Sequence, residues 1–459
     1  MNERELKELA TSVRKQGHGS TMTDLVYDPV TGEFRQVSSD VVPAQGDVVT
    51  EMTREGFAAD AASGLVVYVD KEELQAFRAS GGTAVPAYAY EWEGEGVVHV
   101  HLHPLPHAHG RTASCTVCRG ARPGDVATDY VLSVGEADGE VAAELFAAAD
   151  GYAVPHAVAF VPARAELYSR NKGLLEKDAL AGKRALVVGL GSFGSQICVE
   201  LAKAGVGSFA LCDFDRVELH NLSRHIGTTD DLGRLKTDVV HDAILGKNPY
   251  ASVDRFPVDI NADLDFLARE VEKADVVICA TDNNRSRFNL AQVLTEHPKT
   301  CIYGRAVTRA EGGDVFISRP GGPCYNCLVG NGWFDSSAEE ISTVQAGRRA
   351  GRIAAYVSDA DADAVVQVGL SADIAPICNL MVKLALVELS RGTDAGISVL
   401  EPELAFDYYM WANRRERRYA NWSPLPEAGN RPTILRWYGA RIARRADCTI
   451  CGEEVVPLE

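Results

Sequence analysis

Two pairs of cysteines with the spacing of metal ligands lie far apart in this chain. Cys324 and Cys327 form one Cys-x-x-Cys motif, and Cys448 and Cys451 form a second one near the end of the sequence. Four thiolates are the ligand set of a structural zinc site, which leaves no coordination position open for catalysis. The sequence therefore predicts a structural zinc ion at these four cysteines, with a disulfide or buried free thiols as the alternative.

A glycine-rich motif in the middle of the chain has the form expected for binding phosphate. The segment ALVVGLGSFGSQICVELAKAG reads as a strand, then Gly189, Gly191 and Gly194 in the pattern G-x-G-x-x-G, then a helix. Glycine permits the tight turn and lets the backbone approach a phosphate at the helix N-terminus, where free N–H groups attract anions. Asp213 follows about twenty residues later, where it can accept hydrogen bonds from a ribose. The motif predicts a bound nucleotide, while an NAD-dependent dehydrogenase and purely structural glycines stay open.

The polar residues after this motif favour phosphoryl chemistry over hydride transfer. Asp215, Asn221, Arg224 and Lys236 follow the ribose acid closely, and Asp282 comes directly after the apolar run VVICAT. Open α/β sheets bind ligands at the carboxyl ends of their strands, which is where this last acid falls. The two cations can neutralise a triphosphate, and Asp282 can hold a magnesium ion. We therefore expect ATP and Mg²⁺ as ligands.

The elements that must position these residues divide the 459-residue chain into three stretches. In residues 161–395, apolar runs alternate with helical patterns, which is typical of β-α-β units on a parallel sheet. The strands predicted there are RALVVG, GSFALCD, DVVICAT and TCIYG, with GGDVFIS leaving the core. Residues 1–160 form an accessory domain, and residues 396–459 form a segment that closes the zinc site. The predicted fold class is α/β: a Rossmann-like domain with a parallel-sheet core and a zinc-clipped C-terminus, plus a smaller α+β N-terminal domain.

Composition excludes several classes of partner. The net charge of −18 argues against nucleic acid and anionic membranes, and the Arg-rich stretch 414–445 is interpreted as a solvated surface rather than a nucleic-acid patch. The sequence contains neither an apolar run of the roughly 18 residues that a membrane helix needs nor a signal-peptide core. Eleven cysteines without a secretion signal favour a reducing, cytoplasmic location.

Taken together, the motifs resemble those of one enzyme superfamily. The segments LYSRN, GLGSFG, DFDRVELHNLSR, GRLK, ATDN and PCYNC with CTIC are similar to the adenylation domain of the ubiquitin-activating (E1-like) or ThiF–MoeB superfamily. Bacterial members adenylate the C-terminal glycine of small sulfur-carrier proteins. The resemblance covers residues 166–395 and returns at the last cysteines, and it implies a crossover loop at about residues 330–370.

The resemblance also implies a role for each polar residue. Asp213 would bind the ATP ribose, Asn221, Arg224 and Lys236 would contact phosphates, and Asp282 would serve Mg²⁺ and the adenylate. Arg170 of LYSRN corresponds to an arginine that the family supplies from the neighbouring protomer, which implies a homodimer. The implied nucleotide-binding set is Gly189, Gly191, Gly194, Asp213, Asp215, Asn221, Arg224, Lys236 and Asp282.

The implied reaction is attack of a C-terminal glycine carboxylate on the α-phosphate of ATP, which yields an acyl-adenylate and pyrophosphate. The partners implied are a ubiquitin-like protein that ends in glycine and an E2-like conjugating protein. The alternatives are a sulfur-carrier or peptide adenylyltransferase and a non-catalytic nucleotide-binding scaffold.

The residue that would carry the acyl group is left open. In ubiquitin-activating enzymes a cysteine usually follows the Cys-x-x-Cys motif by about fifteen residues, but here the stretch DSSAEEISTVQ offers Ser342 and Thr343. The next cysteine, Cys378, starts an apolar helix and is interpreted as structural. Direct transfer to an external nucleophile and a Ser342 or Thr343 oxyester both remain.

A histidine-rich stretch in the N-terminal domain supports three hypotheses. His101, His103 and Pro104 resemble the H-x-H-P motif of JAMM-type zinc isopeptidases, although Asp125 or Asp129 would have to replace a missing ligand. A conjugating-enzyme-like domain would use Cys115 as its nucleophile, and the third interpretation is a His-rich strand or a non-catalytic zinc loop with Cys115 and Cys118. The chemistry-bearing residues of this stretch are His99, His101, His103, His107, His109, Cys115 and Cys118.

Overall fold

The structure is a computed structural model, and the chain forms two compact units, residues 1–163 and 164–459. None of the described helices has the length and apolar character needed to cross a membrane. The described residues are 24–28, 33–37, 66–92, 96–104, 111–120, 128–149, 152–161, 167–176, 179–307, 310–330, 369–393, 396–397, 400–415 and 434–452.

The first unit contains a closed β-barrel. Strands β1 (Asp24–Asp28) and β2 (Glu33–Val37) form a separate antiparallel hairpin. The barrel order is β3-β5-β4-β6-β7-β8-β9, and its interior is filled by side chains such as Val67, Val98 and Leu132. Its elements are β3 (Val66–Asp70), α1 (Lys71–Ala79), β4 (Ala84–Trp92), β5 (Val97–His101), β6 (Arg111–Arg119), β7 (Tyr130–Ala137), β8 (Glu140–Ala149) and β9 (Tyr152–Val161).

The second unit is built on one eight-stranded sheet, in the order β12-β11-β10-β13-β14-β15-β16-β17. The first five strands of that order run parallel and the remaining pairs are antiparallel. The strands are β10 (Arg184–Val188), β11 (Ser208–Cys212), β12 (Ser252–Phe256), β13 (Val276–Cys279), β14 (Thr300–Ala306), β15 (Gly312–Ser318), β16 (Tyr408–Ala412) and β17 (Arg436–Ala440). The predicted α/β class with a parallel core is therefore confirmed.

Helices cover both faces of this sheet, as the near-continuous apolar runs of its central strands require. One face packs on α2 and α7, and the other on α4 and α5. The helices are α2 (Ser192–Lys203), α3 (Lys236–Leu245), α4 (Leu264–Lys273), α5 (Asn284–Glu296), α6 (Tyr325–Val329) and α7 (Ser371–Ser390).

Strand β15 differs from the sequence prediction. The run GGDVFIS was expected to leave the core, but every residue of β15 is buried and the strand pairs with β14 and β16. Gly313 allows this close packing, because a Cβ there would lie 2.1 Å from the Cδ1 of Ile377 on α7. The segment therefore lies in the sheet, with a helix directly against its backbone.

Candidate active site

The predicted site residues come together because three neighbouring strands end at the same level. Val188 of β10 is in register with Cys212 of β11 and with Cys279 of β13. The residues that follow are the glycine-rich motif after β10, Asp213 after β11 and the Ala280–Asp282 segment after β13. Parallel strands place these carboxyl ends on one edge of the sheet, where open α/β folds bind ligands.

Two of the three motif glycines are required by close backbone contacts. Gly189 has φ +87°, and a Cβ there would lie 2.8 Å from the carbonyl oxygen of Ala280. A Cβ on Gly194 would lie 1.9 Å from the carbonyl oxygen of Gly189, so this glycine lets α2 pack against the end of β10. A Cβ on Gly191 would meet nothing within 4 Å, which leaves open space beside the start of α2. This geometry is suited to an anion at the helix N-terminus.

Asp213 is held in place by backbone amides. Its Oδ2 accepts a hydrogen bond from the N–H of Leu190 at 2.7 Å, and its Oδ1 accepts one from the N–H of Asp215 at 2.8 Å. Burial raises the pKa of Asp213, although the charge of Lys236 and the two amide hydrogen bonds oppose this rise. The carboxylate therefore has one fixed orientation, with remaining acceptor capacity for a ligand hydroxyl.

Lys236 is a buried cation beside three acids. Its Nζ lies 3.0 Å from Oδ2 of Asp215, and only 8% of the residue is exposed. Burial acts to lower the pKa of Lys236, but the negative charges of Asp213, Asp215 and Asp282 outweigh it, so that the pKa is raised. Lys236 therefore stays protonated at neutral pH and can neutralise phosphate charge.

Eight of the nine predicted nucleotide residues line one pocket of about 250 Å³, whereas Gly194 is not part of its lining. Within the described residues, the guanidinium of Arg224 has no hydrogen-bond or ion-pair partner, so its donors are available to a ligand. The backbone carbonyl of Arg224 accepts a hydrogen bond from Nε2 of Gln196 on α2, at 3.1 Å. The predicted residues that line the pocket are Gly189, Gly191, Asp213, Asp215, Asn221, Arg224, Lys236 and Asp282.

The pocket also contains residues that the sequence did not single out. His225 lines it, as do Asp259 and Asn261 in the segment after β12 and Ser286 in the first turn of α5. The side-chain amide of Asn261 donates to Oδ1 of Asp259 at 2.9 Å and to Oγ of Ser286 at 3.1 Å. These residues follow no recognised spacing, and β12 itself, SVDRF, lacks a clear apolar run. Finding them would have required knowing which strand ends lie side by side in the sheet.

Of the other predicted residues that the structure describes, Arg170 lies outside the pocket lining. It is exposed in a short 3₁₀ turn (Ser169–Asn171). Ser342 and Thr343 lie outside the described residues. Cys378 is only 2% exposed and packs in the core on α7, in agreement with its interpretation as a structural thiol.

The four predicted zinc ligands form one cluster. Their sulfur atoms all lie within 4.8 Å of one another, with Cys324–Cys448 and Cys327–Cys451 at 3.5 Å and Cys324–Cys327 at 3.9 Å. Zinc–sulfur bonds of about 2.3 Å in a tetrahedron place sulfurs about 3.8 Å apart, so the cluster fits this ion. The carboxamide of Asn326 donates to Sγ of Cys448 at 3.3 Å, and the N–H of Arg445 donates to Sγ of Cys327 at 3.4 Å. Such hydrogen bonds orient and stabilise metal-bound thiolates.

In the N-terminal unit, two cysteine hypotheses are wrong. Cys115 and Cys118 lie in strand β6 rather than in a loop, and their odd spacing puts them on opposite faces. Cys115 packs inside the barrel, where burial raises the pKa of its thiol to about 12. A thiol buried inside the barrel is not accessible as an acyl acceptor, and two cysteines on opposite faces of one strand cannot bind one metal ion.

The histidine motif of this unit gives no metal site within the described residues. His101 ends β5 and His103 is exposed, while the N–H of Leu102 between them donates to Oε2 of Glu73 at 2.9 Å. Asp129 accepts hydrogen bonds from the N–H and hydroxyl of Ser114, at 2.9 and 2.6 Å. Within the described part of the chain, only the four cysteines form a group with metal-binding geometry. His107, His109 and Asp125 lie outside it.

Comparison with known families agrees with this geometry. The ThiF family matches residues 166–395, which is half of the chain and contains the whole nucleotide pocket. The chain belongs to the ThiF family. The E1-like resemblance seen in the sequence is thereby confirmed, and with it the Rossmann-like character of the second unit.

Curated relatives of this ThiF-family chain match it over about a third of its length. Molybdopterin-synthase adenylyltransferase of Escherichia coli (strain K12) is 36% identical over 154 residues, which are 33% of this chain and 61% of the relative. The SAMP-activating enzyme E1 of Haloferax volcanii is 35% identical over 150 residues, which are 32% of this chain and 54% of the relative. A crystal structure of Escherichia coli MccB with ATP has a TM-score of 0.45 and 18% identity, covering 64% of this chain and 76% of MccB.

Proposed function

We propose that this chain uses ATP to adenylate the C-terminal glycine of a ubiquitin-like protein and passes the acyl group to an E2-like conjugating protein. The observation that supports this most is the pocket in which Lys236 and Arg224 face Asp213 and Asp282 beside the N-terminus of α2. Two cations beside the phosphates suit a reaction that breaks a phosphate bond of ATP and releases charged pyrophosphate, whereas no phosphate bond breaks in hydride transfer.

In the proposed reaction, an oxygen of the glycine carboxylate attacks the α-phosphorus of ATP. The bond from that phosphorus to the bridging oxygen breaks, pyrophosphate leaves, and an acyl-adenylate forms. Asp213 would hold the ribose, Arg224 and Lys236 would neutralise phosphate charge, and Asn221 would donate to a phosphate oxygen. Asp282 would hold Mg²⁺, which supplies further charge neutralisation for the leaving pyrophosphate. The protein thus acts by positioning and electrostatics.

The structural zinc ion belongs to the same proposal. Four thiolates supplied by α6 and its N-cap and by the C-terminal segment would fasten residues 448–451 to the core, because metal binding here contributes folding energy. The sulfur spacing and the two N–H···S hydrogen bonds support zinc at this position.

The second candidate is adenylation of a sulfur-carrier protein or a peptide. The name of the Escherichia coli relative, molybdopterin-synthase adenylyltransferase, favours this alternative. The two candidates share the adenylation step and differ in the partner and in the fate of the acyl group. A cytoplasmic location remains a prediction under both.

Pyrophosphate–ATP exchange tests the proposal. We expect exchange only when the cognate ubiquitin-like protein is present, and we expect Asp282→Asn to lower its rate about 100-fold or more, because the metal ligand is lost. Asp265→Asn, an exposed acid in the first turn of α4, is the matched control and should exchange at the wild-type rate. Exchange at the wild-type rate in Asp282→Asn would contradict the assignment.

The covalent species formed with ATP and the partner separates the two routes for the acyl group. An adduct that survives thiol reductant, yields to mild alkali and disappears in Ser342→Ala would support an oxyester, with Thr343 as the second acceptor. Absence of any adduct while exchange proceeds would support direct transfer. An adduct that reductant cleaves would require a cysteine and would contradict both routes.

A further inference from the structure

Arg287 is a buried cation that holds the loop before α5. Only 1% of this residue is exposed, although it carries a full positive charge. Its Nη2 donates a hydrogen bond to the carbonyl oxygen of Thr281 at 2.6 Å, and its Nη1 donates to Oδ1 of Asn284 at 3.2 Å. A buried charge makes such bonds strong, so Arg287 fixes the backbone immediately before Asp282.

Tyr325 contacts the same side-chain oxygen of Asn284. It lies between the ligands Cys324 and Cys327 as the first residue of α6, and it is 2% exposed. Its hydroxyl donates to Oδ1 of Asn284 at 3.0 Å. Its ring stacks on Tyr303 at a centroid distance of 5.0 Å and meets the edge of Phe288 at 5.3 Å, so the hydroxyl has little freedom to move.

Asn284 therefore joins two parts of the molecule. Its Oδ1 accepts one hydrogen bond from the hydroxyl of Tyr325 on α6 and another from the guanidinium of Arg287, which also holds Thr281. We propose that Tyr325 is a positioning residue which couples the four-cysteine centre to the loop that carries Asp282. This inference rests on the proposed function for the role of Asp282, but the contacts themselves do not depend on that role.

The coupling predicts what removal of one hydroxyl does. Without the Tyr325 hydroxyl, Asn284 keeps its contact with Arg287 but loses one of the two donors to its Oδ1, so Asn284 and the Arg287–Thr281 contact are held less firmly. The Ala280–Asn283 loop should then sample more conformations, and Mg²⁺ at Asp282 should bind less well. The residues that would bind adenosine, above all Asp213, follow a different strand and should be unaffected.

Tyr325→Phe tests this in the full-length protein, with Tyr303→Phe as its matched control. Tyr303 is the stacked neighbour, and among the described residues its buried hydroxyl makes no hydrogen bond to Asn284 or Arg287. In Tyr325→Phe we expect about tenfold faster amide hydrogen exchange at residues 280–283 and about tenfold more Mg²⁺ for half-maximal pyrophosphate exchange. The KM for ATP at saturating Mg²⁺ should stay within about twofold, and the zinc content should equal that of the wild type.

Asn284→Ala provides a second test that leaves helix α6 and its cysteines unchanged. It should reproduce the faster hydrogen exchange, and the double variant with Tyr325→Phe should be no faster than Asn284→Ala alone, because both act through one oxygen. Equal hydrogen exchange in Tyr325→Phe, Tyr303→Phe and wild type, with zinc retained, would overturn the coupling. Additive effects in the double variant would also overturn it. A wild-type protein without nucleotide activity would refute the proposed function alone, since hydrogen exchange in the free protein still decides the coupling.

Discussion

At the scale of single residues, His225 shows how the pocket fixes a protonation state. Its Nδ1 accepts a hydrogen bond from the N–H of Gly227 at 2.9 Å, so its proton lies on Nε2, which faces the carbonyl oxygen of Leu190 at 3.0 Å. Burial, together with the nearby positive charge of Lys236, lowers the pKa of His225 to about 4. The neutral imidazole thus ties the Asn221–Gly227 segment to the glycine-rich motif without adding charge beside the phosphate site.

This protonation state predicts a pH dependence of stability. Because the pKa of His225 is lower in the folded than in the unfolded chain, the unfolded chain binds the extra proton, and stability is lost as the pH falls from about 6.5 towards 4. The loss amounts to about 2 kcal/mol between pH 7.5 and pH 5. In urea unfolding at pH 7.5, the free energy of unfolding of the wild type should therefore exceed that of His225→Gln. At pH 5 this difference should be smaller by about 2 kcal/mol. A difference that stays constant or widens would contradict the neutral imidazole.

At the scale of elements, the glycine-rich connection between β10 and α2 predicts two different defects. In Gly194→Ala the new methyl would lie 1.9 Å from a backbone oxygen, so α2 must shift and we expect a loss of about 3 kcal/mol or more in unfolding free energy. In Gly191→Ala the methyl meets nothing within 4 Å, so stability should change by less than about 1 kcal/mol. Since Gly191 lines the pocket, that methyl would enter the space proposed for the ATP phosphates and should weaken ATP binding. Urea unfolding and ATP titration of both variants check this, and the reverse order of stabilities would be inconsistent with the structure.

The sequence predicted those elements whose local pattern and chemistry agree. A parallel sheet with a phosphate-binding turn is specified by the glycine spacing and by the apolar runs of β10, β11, β13 and β14. The two cysteine pairs could be assigned to one site across 124 residues because zinc requires four ligands. It missed β12 because SVDRF, on the edge of the sheet, has three of its five residues polar. One of the three hypotheses for the N-terminal unit put Cys115 and Cys118 in a loop, because flanking glycines mask a strand whose partners are distant in sequence. Long-range strand pairing is not visible in a local pattern.

At the scale of the whole molecule, the segment around Arg170 has the features of a contact surface. Tyr168 is buried against Gly205, which anchors the segment to the body of the second unit. Arg170 is exposed next to it, flanked by Leu167 and Leu174, which are 46% and 72% exposed. Exposed leucines beside an exposed cation are consistent with docking onto a second copy of the chain.

We predict that Arg170 acts across a homodimer, as the family resemblance implies. Arg170→Ala and Asp282→Ala should each be inactive in pyrophosphate exchange, because the first lacks a phosphate-binding cation and the second the metal ligand. After the two proteins are mixed and allowed to exchange subunits, half of the chains should be in mixed dimers, and each mixed dimer has one site with both residues intact. Activity should therefore recover to about a quarter of the wild-type level.

The control is a mixture with Arg170→Ala/Asp282→Ala in place of Asp282→Ala, which leaves Arg170 out of every site and should stay inactive. If the first mixture also stays inactive while mass spectrometry shows mixed dimers, Arg170 must act within its own chain, and the proposed composite site is wrong.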